Sequence, residues 1–279
     1  MEDRTRHFRI LEDIARDLSG DINFPTCMNA AILIRNTLKD PLGSLERVAQ
    51  AVSLEPLISS KLLRLANSAS YNPAGKTISN LTTAISRLGF DVVRTTSLAV
   101  AMDQMLKSRN LANYDQIGQS FWEHSIQVSA ISRVLARRIG RINPDEAMLA
   151  GLVHDIGIFY LLYRAAEYPD YRRDLPATFE LLRGWHESVG ESLLHILGLP
   201  DNITEAIRDH HRLMNVETPC SVRDVLYFAN LLTDGGLQLL GIDADPVETE
   251  ARAADRARYL DLVTEAEEDI RELRAALKA

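Results

Sequence analysis

The chain has 279 residues, 46% of them hydrophobic and 25% charged, enough apolar material for one large core or for one core and a smaller lobe. A formal net charge of −8 and a pI near 5.4 give no broad field for phosphate backbones, so nucleic acid is not an expected partner without a local basic patch. Two cysteines, Cys27 and Cys220, lack CxxC spacing, indicate no disulfide framework, and read as small buried hydrophobes.

The opening segment MEDRTRHFRILEDIARDLSG is charged and amphipathic, without the apolar stretch and small-residue cleavage site of a secretory signal. The most apolar region, AGLVHDIGIFYLLY, is interrupted by His154 and Asp155, so no run is expected to reach a bilayer span. The cytoplasm is the expected location and no membrane partner is expected. Apolar residues recur at three and four throughout, which predicts an all-α chain.

Residues 3–18 form the first predicted helix, broken at Ser19-Gly20-Asp21, with a new start at Phe24-Pro25. Ala30–Leu38 follows, stopped by Asp40-Pro41. Ser44 is a predicted N-cap for Leu45–Val52, and Pro56 opens a helix over Leu57–Asn67. Asn80 or Thr82 opens the helix through Leu88, and Gly89 ends it. Asp91–Leu106 is the next helix, and the polar stretch Lys107–Asp115 separates a first lobe from a second.

The second lobe reads as helices over Phe121–Ile139, Pro144–Tyr163, Thr178–Leu197, Pro200–His211 and Ser221–Thr233, stopped by Asp234-Gly235-Gly236. The tail, Pro246–Ala279, is a charged helix pattern carrying Leu260, Val263, Ile270, Leu273 and Leu277. It suits packing on the body or pairing with a partner helix. The expected organisation is an N-terminal helix at 1–21, a main domain at 22–233 divided at 110/111, and a tail at 234–279.

Five of the seven histidines and one aspartate fall in a suggestive order: His124, His154-Asp155, His186 and His210-His211, with Asn230 next. Imidazoles with a carboxylate suit iron, manganese, zinc or nickel. An ionised aspartate in so apolar a helix is expensive unless it is paired or metal-bound. On one helix, neighbours point about 100° apart. His154 and Asp155 would then reach a metal from two sides, and His210 and His211 would divide ligation from another role. A buried hydrogen bond or ion pair of Asp155 with His154 or His124 is the alternative. His7 and His195 read as structural.

At GLVHDIG the chain resembles the HD superfamily of metal phosphohydrolases, which carries a histidine, a His-Asp doublet and a later aspartate, with further histidines in two-metal members. The blocks LLRLANSASY, AISRLG and HESVGESLLHILGLPDNITEAIRDHH are similar to HDOD domains, over roughly residues 22–233. The resemblance implies an N-terminal helical lobe and an HD-like C-terminal lobe with a possible divalent metal among its central helices. It implies a signalling or regulatory output module that works through protein contacts. Asn230 stands where catalytic HD enzymes present the final aspartate, and its neutral carbonyl oxygen is the poorer ligand. Asp234, four residues on, reads as a turn residue.

Three functions are distinguished on these grounds. The first is a regulatory module with a degenerate metal site, with signalling proteins as partners and a homo-oligomer through the C-terminal helix as a possibility. The second is a metal-dependent hydrolase of a nucleotide or cyclic dinucleotide, with Asp155 in its catalytic centre and Arg87, Arg94 and Lys61 as candidate phosphate contacts. The third is a DNA-binding regulator built on the helix–turn–helix-like spacing around Ala49 and Ser53–Pro56. It is disfavoured because Lys61 and Arg64 are the only basic residues on its second helix.

Overall fold

A computed structural model describes residues 2–19, 28–40, 44–139, 141–208, 210–233, 236–242 and 246–277. Cys27, Gly20-Asp21, Phe24-Pro25, Pro41 and Asp234-Gly235 lie outside the described residues. No strand occurs among the described residues.

Helix α1 (Glu2–Ser19) comes first and places Ile10 and Ile14 in the same core as Phe159 and Leu181, and the first lobe runs α2 (Asn29–Lys39), α3 (Leu45–Ser53), α4 (Pro56–Ala66), α5 (Leu81–Leu88) and α6 (Phe90–Leu106). Its boundaries follow local chemistry. The Ser44 hydroxyl accepts from the Arg47 N–H, Pro56 opens α4, and the Asn80 side chain accepts from the Thr83 N–H. Gly89 sits at φ 80°, where a side chain is strained, and turns the chain between α5 and α6.

A 3-10 turn (Arg109–Tyr114) links the lobes. The polar spacer expected here is partly core, because Leu111 and Tyr114 are buried and Tyr114 Oη lies 3.2 Å from Thr178 Oγ1. The second lobe holds α7 (Asp115–Ile139), α8 (Pro144–Val153), α9 (Ile156–Ala165), α10 (Pro169–Arg173), α11 (Leu175–Ile196), α12 (Asp201–Ile207) and α13 (Val222–Leu232). The tail follows as α14 (Gly236–Leu239), α15 (Pro246–Ala257), α16 (Asp261–Glu265) and α17 (Glu267–Leu277).

The single helix expected over Pro144–Tyr163 is two, broken at His154-Asp155. The span Pro144–Ala165 is long and apolar enough to cross a membrane, but 89% of its apolar window is buried inside the protein, as in a core helix. The helix expected over Pro200–His211 ends at Ile207, so both histidines stand on the loop beyond it. The helix pattern expected over Pro246–Ala279 is three helices, α15 to α17, because the chain turns at Arg258–Leu260 and Ala266.

The smaller core gathers Val48, Val52, Ile58, Leu62, Ile85 and Val93. The larger gathers Ile131, Leu149, Phe159, Leu161, Leu181 and Phe228. Helix α6 serves both, with Val93 and Val100 in the first and Leu98 and Met102 in the second.

The tail packs on the body. Leu273 and Leu277 enter the larger core and Ala276 the smaller, each leucine contributing about 2 kcal/mol of apolar burial. Asp269 pairs with Arg133 and Arg137, and Arg274 with Glu123. This docking also answers the helix–turn–helix spacing. Lys61 Nζ donates to the Leu277 carbonyl and Arg64 Nη1 to the Ala275 carbonyl, so α17 covers Lys61 and engages Arg64, which stays exposed. Lys61 is buried, and desolvation lowers its pKa, partly opposed by Asp103. Cys220, expected buried, is exposed, with its thiol donating to Asp224.

Candidate metal centre

Two glycines decide where the His-Asp doublet sits. A Cβ on Gly151 would lie 2.7 Å from the Ser129 Cα, and one on Gly157 would lie 1.9 Å from the His186 carbonyl oxygen. Only glycine lets α8 press on α7, and α9 on α11, with backbones touching. Those contacts bring His124 of α7 and His186 of α11 up to the doublet between them.

The break in the helix completes the placement. Asp155 has φ −101° and ψ 17°, the sparsely populated bridge region in which many functional residues sit. The turn re-aims the doublet, so His154 and Asp155 address one point rather than diverging as helical neighbours. The loop after α12 delivers His210 and His211, whose rings are 4.0 Å apart. Both reach the centre, so the expected division between one ligand and one residue with another role is not seen in the geometry.

The cluster forms two groups that share Asp155. Ligand atoms of His124, His154 and Asp155 lie within 4.8 Å of one another, as do those of Asp155, His186, His210 and His211. Such overlap gives room for one cation or for two bridged by the carboxylate.

The imidazole tautomers follow from backbone contacts. Nδ1 lies 2.7 Å from the Gly151 carbonyl in His154, 2.8 Å from the Leu182 carbonyl in His186, and 2.7 Å from the Ile207 carbonyl in His210. A carbonyl only accepts, so each ring spends its single neutral-form proton there, leaving Nε2 as a lone pair. These lone pairs face a carboxylate: His154 Nε2 is 3.2 Å from Asp155 Oδ2, and His210 Nε2 is 3.4 Å from Asp155 Oδ1. Lone pair against carboxylate is repulsive unless a cation or a proton lies between them. The Nε2 atoms of His124, His154, His186, His210 and His211, with Asp155 Oδ1 and Asn230 Oδ1, are buried and lack a hydrogen-bond partner. That orphaned donor set fits a metal, and the Nδ1 anchors match the backbone contacts that orient metal-bound histidines.

Electrostatics agree. Burial pushes His124 and His186 down to about 4 and His211 well below its ordinary value, with neighbouring imidazoles adding to the effect and Asp155 opposing it. These rings stay neutral and ligand-ready near neutrality. Burial alone would raise Asp155, but the close approach of the His154 and His210 imidazoles holds it well below the usual carboxylate range. His210 is raised, since its contacts with Asp155 outweigh its burial.

Asn230 projects from α13 beside His124, close enough to favour the protonated ring but short of hydrogen-bond geometry. A Cβ on Gly236 would lie 3.0 Å from Asn230 Oδ1, so α14 closes directly over the amide. All seven sequence-singled residues therefore converge. Arg87, Arg94 and Lys61 do not join them: Arg87 donates to the Tyr71 carbonyl, Arg94 to Asp91, and Lys61 to the tail. His7 stands elsewhere against Tyr171, and His195 is exposed.

A cavity of about 220 Å³ opens beside the cluster, bounded by His210, His211 and Asn230 on one side and by Thr249, Arg252 and Arg256 of α15 on the other. The arginines were missed in the sequence. Their i, i+4 spacing puts them on one helix face, but nothing in the tail's pattern says which body surface that face meets.

Fold and donor set together define an all-helical protein with a buried histidine–aspartate centre able to hold a metal. The chain belongs to the HDOD domain family, which it matches over residues 24–213. A candidate metal-dependent phosphohydrolase of Shewanella amazonensis shares the fold at 22% identity and a TM-score of 0.72 over 100% of both chains. A candidate signal transduction protein of Marinobacter aquaeolei does so at 22% identity and a TM-score of 0.56, over 91% of this chain and 59% of that one. A ribonuclease Y of Thermus thermophilus is 30% identical over 101 residues, 36% of this chain and 14% of that protein. The first two curated relatives it matches are longer proteins, of which it spans 42% and 14%.

Proposed function

We propose that this protein is a metal-binding regulatory module of the HDOD type, acting in the cytoplasm through contacts with signalling proteins. The observation that carries the metal is the set of anchored imidazoles whose unpartnered Nε2 atoms surround Asp155. His124, His154 and Asp155 would hold one cation, and His186, His210 and His211 complete the set for a second around the same carboxylate. A donor set of five imidazoles and one carboxylate suits iron, manganese, zinc or nickel better than magnesium or calcium. Asn230 in place of a second carboxylate leaves such a centre weaker and less charge-compensated, which favours a regulatory role over turnover. The likeness to a candidate signal transduction protein supports the same reading.

Elemental analysis of protein purified without chelator tests it, beside His154→Ala and Asp155→Ala. Near-stoichiometric transition metal, lost in both variants, is the expected result. A metal-free parent whose variants fold normally would mean a vestigial pocket. Capture of partners from cell extract, repeated with Asp155→Ala, then tests whether contacts depend on the centre. Light scattering tests the homo-oligomer, for which Leu260, 51% exposed, is an available apolar position in the tail.

One observation favours a second reading, a phosphohydrolase of a nucleotide or cyclic dinucleotide: the arginine-lined cavity abuts the centre. A bound metal would act there as a Lewis acid that lowers the pKa of water. Release of phosphate or opening of a phosphodiester by metal-loaded protein, abolished in Asp155→Ala, would establish it.

A further inference from the structure

The cavity between the histidine cluster and α15 lies across a boundary. Within its wall His210 and His211 belong to the HDOD match, whereas Asn230, Leu231 and the whole of α15 lie beyond that match. Helix α15 has no buried residue, so it is seated by polar contacts rather than by a core. Arg252 Nη2 donates to the His211 carbonyl at 2.5 Å, Arg256 Nη1 to the Leu231 carbonyl at 3.2 Å, and Tyr227 Oη to Asp255 at 2.7 Å. Arg252 is thereby held beside the histidine cluster and Arg256 beside Leu231 of α13.

We propose that this cavity binds a small phosphomonoester, with its phosphate on Arg252 and Arg256 and its organic part against Leu231, Leu237 and Ile242. The proposal deepens the metal-centre reading by naming the ligand class of the same site.

Three features carry it. The first is charge. Two guanidinium groups one helical turn apart face one cavity and match a phosphate dianion, with Thr249 and the Asn230 amide as further polar wall. Glu248, 3.8 Å from Arg252 and 42% exposed, is a nearby acidic group screened by solvent, and Asp255 on the same helix is engaged by Tyr227 and Arg258. The second is an unmet donor. Arg252 Nε is buried and has no hydrogen-bond partner. Buried polar groups of this kind cost about 1–3 kcal/mol each when unpaired, which an oxygen-rich anion would relieve. The third is size. At about 220 Å³ the cavity is below the roughly 300–1,000 Å³ of pockets for drug-sized ligands, which suits a sugar phosphate better than a cyclic dinucleotide.

The test is isothermal titration of inorganic phosphate, ribose 5-phosphate and a cyclic dinucleotide into the full chain, both metal-loaded and chelator-treated. Phosphate should bind both forms, ribose 5-phosphate should bind more tightly, and the cyclic dinucleotide should not bind. Arg252→Gln and Arg256→Gln should each weaken binding at least tenfold while metal content stays unchanged. Because both arginines also seat α15, Arg252→Lys and Arg256→Lys serve as charge-retaining variants and should keep part of the affinity. On adding phosphate to the unaltered protein, the Arg252 Nε–H resonance should shift.

Absence of phosphate and ribose 5-phosphate binding to a protein that holds its metal would overturn the proposal and leave the metal-centre reading standing. So would binding that survives both glutamine substitutions and disappears with the metal, since the cation alone would then hold the anion. Tighter binding of the cyclic dinucleotide than of ribose 5-phosphate would also overturn it.

Discussion

The Cα of Gly157 faces the His186 carbonyl so closely that a Cβ there would lie 1.9 Å from its oxygen. This approach sets the distance between the helix that follows the His-Asp doublet and the helix that carries His186. Gly157→Ala should therefore act on stability and metal together. Overpacking of a backbone contact falls at the upper end of the usual penalty, about 3 kcal/mol, a fall in Tm of roughly 6–12 °C for a chain of this size. Metal affinity should fall with it. Gly184→Ala, with nothing within 4 Å of its added Cβ, is the control, and should be neutral or stabilising by up to about 1 kcal/mol. Thermal melts with metal titrations check both. Equal behaviour of the two variants would show that the close approach does not govern the site.

Asp155→Asn removes the charge the two ligand groups share while almost preserving shape. Metal affinity should fall by more than the roughly 10–100-fold typical of changes to supporting residues. The chelator-treated variant should remain folded by circular dichroism. The parent should gain thermal stability on metal addition by mass action, and the variant should not.

Asn230→Asp restores the carboxylate that catalytic HD enzymes present. The side chain already lies beside His124, with its oxygen buried and unpartnered. Metal affinity is expected to rise at least about tenfold, since an anionic oxygen replaces a neutral carbonyl. Competition against a chromogenic chelator measures it. An unchanged affinity would show that position 230 lies outside the coordination sphere.

Acid should destabilise the metal-free protein over a defined window. His124 and His186 fall from 6.5 to about 4 on folding, mainly through burial. As pH drops through 6.5 the unfolded chain takes up protons that the folded chain refuses until about 4, so stability is lost across that interval. Urea melts of chelator-treated protein between pH 7.5 and 4 should show it. His186→Gln should flatten the slope, and an unchanged slope would mean that the ring titrates normally in the fold.

Much of the architecture was legible because it is local. Ser44, Pro56, Asn80 and Gly89 mark helix ends whatever surrounds them, since a cap needs only its own first turn or a permissive φ. The donor set was legible for a related reason. Burying Asp155 in so apolar a segment demands a partner, and the ordered histidines supplied candidates of the right chemistry.

Tertiary structure decided the rest. Periodicity ran one helix through His154-Asp155, because apolar residues continue on both sides, whereas the packed backbones at Gly151 and Gly157 accompany a break there. It also carried a helix to His211, although the chain leaves helical geometry after Ile207 and both rings turn into the centre. The tail shows the limit most plainly. Its apolar and arginine positions could be read from the chain. That Leu273 and Leu277 enter the core, and that Arg252 and Arg256 face the histidines, depends on which surface each face meets. Apolar periodicity and the order of the histidines by themselves determined an all-helical chain holding the residues of a metal centre. Only long-range packing decided that those residues share one point and that the tail closes over it, because side-chain period fixes a face but not its partner.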